Sequence, residues 1–124
     1  MKKVMFFGTL VLALFLVPAN VVLANKAETS IEGPVEAARG SEVTIRITST
    51  HSANTASHYT EWLKVTANGK DLKRWGYTKE NRPEGAVFSK EIKIRVTENT
   101  EIVAESSCNN HGSKGPATHK IMVK

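Results

Sequence analysis

The chain has 124 residues, with 17 Lys and Arg against 12 Asp and Glu, giving a formal net charge of +5. That length holds one small domain, and a single cysteine, Cys108, excludes an internal disulfide framework. The charge excess is mild and forms no dense basic block, so nucleic acid is excluded as the natural partner.

The first element is a leader. Met1-Lys2-Lys3 precedes an almost purely apolar run from Val4 to Leu23, and Val22-Leu23-Ala24 ends in the small-residue pattern of a cleavage site. Residues 1–24 therefore read as a secretory signal peptide, and residues 25–124 as the mature domain. An uncleaved anchor is the alternative reading of so long an apolar run, but Pro18 and the Val-x-Ala exit oppose it. The expected protein is exported, periplasmic or extracellular, with no stable membrane anchor after cleavage. Two lysines leave with the leader, so 15 basic residues face 12 acidic ones in the mature part. An exported cysteine normally finds a partner; a lone one there is an intermolecular link, a liability or a ligand, and coordination to a metal would explain why it persists.

The mature part reads as all-β. Val43, Ile45 and Ile47 alternate with polar residues, as do Ile92, Ile94 and Val96, which is the period of half-buried strands. A strand from about His58 to Ala67 carries Tyr59, Leu63 and Val65, and Asn68-Gly69 supplies a two-residue hairpin turn. The return strand carries Leu72, Trp75 and Tyr77. Ile102 and Ala104 lead into Cys108, and Ile121 and Val123 mark the last strand. Turn signals recur at Gly33-Pro34, Arg39-Gly40, Asn81–Gly85 and Glu98-Asn99. About seven short strands with regular turns predict an immunoglobulin-like sandwich or barrel.

Two clusters carry the chemistry. His51 and His58 lie in one short stretch ending at Trp62, and Cys108-Asn109-Asn110-His111-Gly112 forms the other. A thiolate with neutral imidazoles suits iron, zinc or copper and is a poor set for calcium. Each histidine alone would be an ordinary loop residue; three of the four falling in two tight clusters beside the cysteine weaken that reading. His119 shares strand parity with Ile121 and Val123, which makes it a wall residue first and a possible additional ligand second. Trp62 could shield the site or simply fill an edge of the sandwich.

These same residues resemble the iron-binding domain of desulfoferrodoxin and neelaredoxin, the superoxide reductases. The likeness runs through most of residues 26–112 and rests on His51 to Trp62, the Asn68-Gly69-Lys70 hairpin and Cys108-Asn-Asn-His111-Gly112. It implies an immunoglobulin-like fold and a mononuclear non-haem iron, cycling between Fe(II) and Fe(III), held by four equatorial histidines and an axial cysteinate. Cys108 would be the axial thiolate, and His51, His58 and His111 equatorial ligands. Superoxide would be the substrate, hydrogen peroxide the product, and a separate electron donor the partner. Lys26 matches the lysine expected to draw superoxide in, and Lys114 is a second cation near the motif. The family's first histidine, in a Glu-Lys-His segment, falls here on Ala27, and its glutamate on Asn25. The His51–His58 spacing is one residue longer than the family's. The single cysteine excludes a further four-cysteine centre.

Two other functions compete. A non-catalytic metal-binding or carrier module would hold degenerate iron or structural zinc on Cys108 and three histidines. A cupredoxin-like electron-transfer protein would also use a Cys-x-x-His loop, but it would want a methionine just beyond His111, and the nearest is Met122.

Overall fold

The computed structural model describes residues 25–124; the leader reading for residues 1–24 lies outside them. Eight strands follow in chain order: β1 Glu28–Glu32, β2 Glu36–Ala37, β3 Ser41–Thr50, β4 Thr60–Ala67, β5 Lys70–Gly76, β6 Val87–Val96, β7 Thr100–Cys108 and β8 Ala117–Val123. They form two sheets, one ordered β1-β3-β6 and the other β2-β8-β7-β4-β5. Among the described residues no helix is long and apolar enough to cross a membrane.

The all-β, immunoglobulin-like class holds. The strand count is eight, because β1, paired with β3, and the two-residue β2, parallel to β8, join the six strands that alternation marks. Alternation sets the core: Ile45 and Ile47 from β3, Leu63 and Val65 from β4, Ile102 and Ala104 from β7, and Ile121 from β8 are buried between the sheets. Asn68 and Gly69 both have positive φ, at 49° and 80°. A tight hairpin whose twist matches its strands needs that backbone at both central positions, which Asn and Gly tolerate.

One irregularity bears on the site. The β4–β7 register shifts between Thr60 and Trp62, a β-bulge. The extra residue reverses parity, so Thr60 faces inward with Leu63 and Val65 while the strand turns toward its preceding loop. The strand therefore begins at Thr60, and His58 stands in the loop before it.

Towards one end of the sandwich the core changes from apolar to hydroxylic. Thr29, Ser49 and Ser106 are buried there; Thr29 Oγ1 and Ser106 Oγ lie 2.8 Å apart, and Ser49 Oγ donates to Ser106 Oγ at 2.9 Å. The next inward positions along the same three chains are Ala27, His51 and Cys108. The polar layer is the floor of the site.

Candidate metal centre

Three segments meet above that floor. Continuing the antiparallel β1–β3 register by one step, from Glu28 opposite Thr50, sets Ala27 opposite His51. Ala27 is wholly buried, its N–H bonds to Gly112 O at 3.2 Å, and its carbonyl accepts from Lys114 N at 2.9 Å. The N-terminal segment thus lies along the loop that carries the cysteine and its histidine.

That loop is a tight return. Cys108 N bonds to Gly112 O at 2.9 Å and Gly112 N to Cys108 O at 3.2 Å. Gly112 has φ of 80°, where a side chain would be strained. The turn aims two backbone N–H groups at the sulfur: Asn110 N and His111 N each reach Cys108 Sγ at 3.4 Å. The sulfur accepts both, and Cys108 is almost fully buried, at 2% exposure.

The other loop is fastened by asparagines. Asn110 Nδ2 donates to Ser57 O at 2.7 Å and Asn109 Nδ2 to the same carbonyl at 3.2 Å, while Asn109 Oδ1 accepts from Tyr59 N at 3.0 Å. These bonds grip the chain on both sides of His58. They were missed in the sequence, although asparagines beside glycine in a turn are known for bonding to nearby backbone. His51 is fixed separately, by its N–H to Ala86 O at 2.9 Å.

The side chains converge. His51, His58 and Cys108 present ligand atoms within 4.8 Å of one another. His111 Nδ1 lies 3.1 Å from His58 Nε2 and 3.7 Å from Cys108 Sγ. The His51 and His58 rings stand edge to face with centroids 4.6 Å apart. Burial holds His51 below the ordinary imidazole pKa, helped by the neighbouring charge of His58; backbone bonds to Asn25 and Ala53 oppose the shift. A neutral imidazole is the ligating form.

The donor set fits a soft or borderline metal ion. With metal–nitrogen bonds of about 2.1 Å, two nitrogens on one ion stand about 3.0–3.4 Å apart, and His58 and His111 have that spacing.

The remaining candidates lie elsewhere. His119 faces Ile102 across the β7–β8 pairing and bonds through Nε2 to Pro34 O at 2.9 Å. Six residues of strand separate Ile102 from Cys108, about 20 Å, so His119 does not join the cluster. Met122 is further along β8 and half exposed, so among the described residues no methionine serves the cysteine loop. Trp62 sits on the side of β4 away from Leu63, with Lys64 Nζ 5.0 Å and Arg74 Cζ 5.2 Å from its ring centroid. Lys114 is engaged by Glu28 in an ion pair. Lys26 is exposed, one residue from Ala27.

The desulfoferrodoxin family model matches residues 24–113. The chain belongs to the desulfoferrodoxin family. No curated protein sequence matches it. Among solved structures, the superoxide reductase (neelaredoxin) of Ignicoccus hospitalis superposes with a TM-score of 0.66 at 21% identity, covering 80% of this chain and 82% of that one. A variant of the same protein gives 0.68 at 22% identity, with 84% and 86% covered. The sulfur carrier protein SoxY of Chlorobium limicola f thiosulfatophilum gives 0.58 at 12% identity, with 78% and 82% covered. At these identities the structures share the fold. The matched segment of this desulfoferrodoxin-family chain contains all four clustered side chains and Ala27.

Proposed function

We propose that the mature chain is an exported mononuclear non-haem iron protein that reduces superoxide to hydrogen peroxide. The observation that carries the reading is the convergence of three imidazoles on a buried cysteine sulfur that already receives two backbone N–H bonds. Cys108, His51, His58 and His111 would hold the ion, which would supply a one-electron couple. In the overall reaction one superoxide takes one electron and two protons, and a separate one-electron donor restores the reduced state.

The protein's own groups set the conditions for that exchange. The N–H bonds to Cys108 Sγ withdraw charge from the sulfur and so tune its donation. His111 is exposed while Cys108 is buried, so a small anion meets the histidine side of the cluster rather than the sulfur. Lys26, exposed one residue from Ala27, would raise the local anion concentration, while Lys114 is paired with Glu28. The hydroxyl floor of Thr29, Ser49 and Ser106 holds β1, β3 and β7 in register beneath the ligands.

A non-catalytic metal carrier is the second reading, favoured by Ala27 where the family has a histidine. One thiolate with three imidazoles makes a closed four-coordinate zinc set. Metal analysis of the exported protein from its own host, followed by stopped mixing of its reduced form with superoxide, separates the two. Bound iron with peroxide formed in step with oxidation supports reduction; bound zinc, or iron inert to superoxide, replaces it with the carrier.

A further inference from the structure

The Asn25 carbonyl lies 3.3 Å from His51 Nε2, a hydrogen bond in the metal-free chain whose length is also the spacing of two donors around one ion. Asn25 is also the residue that follows the cleavage pattern Val22-Leu23-Ala24. The distance that matters is from this carbonyl to its own nitrogen, fixed by three covalent bonds at no more than about 3.6 Å. In the uncut chain that nitrogen is an amide whose lone pair is delocalised into the carbonyl of Ala24, and it is a poor ligand. Hydrolysis of the Ala24–Asn25 bond by an export peptidase adds one water. Ala24 leaves with the carboxylate, and Asn25 keeps a primary amine.

We propose that the α-amine released at Asn25 is a ligand of the metal centre and occupies the position left open at Ala27. Amine nitrogen and carbonyl oxygen of one residue close a five-membered chelate ring around an ion. The anchor for this is two residues on: Ala27 is buried and bonded through both backbone groups to Gly112 and Lys114. Asn25 and Lys26 are exposed and lie outside β1, so they can turn the short distance required. A site completed in this way forms only after export, which keeps it incomplete in the compartment where the chain is made.

The inference rests on the iron and export readings above, and its test separates them. The full chain is exported from a bacterial host as wild type and with one glutamine inserted between Ala24 and Asn25, and mass spectrometry defines each first residue. Iron affinity is measured by chelator competition, and pulsed EPR of both ferric proteins grown on 15N-asparagine is used to look for a nitrogen coupling beyond that of Asn110, which both forms share. The expected results are a wild type beginning at Asn25 with a 15N coupling, and an insertion form that lacks it and binds iron about 10–100-fold more weakly. Equal affinities and no coupling, with both forms holding iron, overturn the amine alone. A wild type that begins elsewhere overturns it together with the cleavage reading, and two forms that bind no iron overturn it together with the iron reading. Circular dichroism of both forms shows whether the insertion has disturbed the fold.

Discussion

His58 Nε2 and His111 Nδ1 face each other at 3.1 Å across the gap between two loops more than fifty residues apart in sequence. Two lone pairs cannot occupy that gap; a shared proton or a shared ion must.

Changing either histidine to alanine should lower iron affinity by at least about 10–100-fold, the range that even outer-sphere changes reach. His51→Ala should do the same. His119→Ala should leave affinity unaltered, because that ring is bonded to Pro34 at the other end of the sandwich. Chelator competition on the four variants measures this, and a His119 effect as large as that of His111 would remove the three-histidine set.

Cys108→Ser should abolish the visible sulfur-to-iron charge-transfer band of the oxidised protein. An alcohol oxygen is a much poorer donor to a soft or borderline ion than a thiolate. Survival of the band in the serine variant would show that the sulfur is not bound.

Asn110→Ala removes the 2.7 Å bond to Ser57 O that fastens the His58 loop. A net hydrogen bond contributes about 0.5–1.5 kcal/mol, so the metal-free protein should lose up to that much stability. Iron affinity should fall by no more than about tenfold, the equivalent of 1.4 kcal/mol. Denaturant melts and chelator titrations supply both numbers; a loss of affinity as deep as that of His58→Ala would make Asn110 a ligand rather than a clamp.

The metal-free protein should lose stability on mild acidification. Burial holds the His51 pKa below its ordinary value of 6.5, so below that pH the unfolded chain binds a proton that the folded one resists. Stability is therefore full above about pH 6.5 and falls as the pH drops toward the folded value. Thermal melts between pH 7.5 and 5 should show this fall, and His51→Gln should flatten it. A variant with an unchanged slope would place the acid sensitivity elsewhere.

Much of this fold was legible as alternation, and its gaps have one physical cause. Ile45, Ile47, Ile102 and Ile121 announce themselves because apolar side chains face the core every second residue. β1 and the site ends of β3 and β7 were hidden or cut short in sequence because their inward residues are Thr29, Ser49 and Ser106, hydroxyls that satisfy one another rather than hydrophobic side chains. The bulge before Trp62 concealed the parity of Tyr59 in the same way, by inserting one residue. The clustering of His51, His58, Cys108 and His111 could be suspected from residue types alone. The course of Asn25–Ala27 beside them could not, since it depends on the β1–β3 register and the backbone bonds to Gly112 and Lys114.

That course decides what Ala27→His should do. Ala27 stands opposite His51 in the continued register, on the same inward parity as Thr29, and its backbone is bonded to the residue next to His111. A side chain built from that position starts inside the layer of the ligands, and an imidazole is long enough to take part in it. The wild-type methyl group is wholly buried, so a larger ring must displace neighbours; Asn25 and Lys26, exposed and outside β1, are the segment that can give way. Restoring the histidine should therefore raise iron affinity by about 10–100-fold and increase the rate of superoxide reduction, with a modest loss of stability in the metal-free form from overpacking, about 1–3 kcal/mol. If the Asn25 amine fills the same position, the glutamine insertion that weakens the wild type should have little effect in the Ala27→His chain, because the imidazole would already hold the site. Equal affinities and rates for wild type and variant, both well folded, would mean that the position at Ala27 limits neither binding nor turnover, and that a three-histidine, one-cysteine centre is the working state.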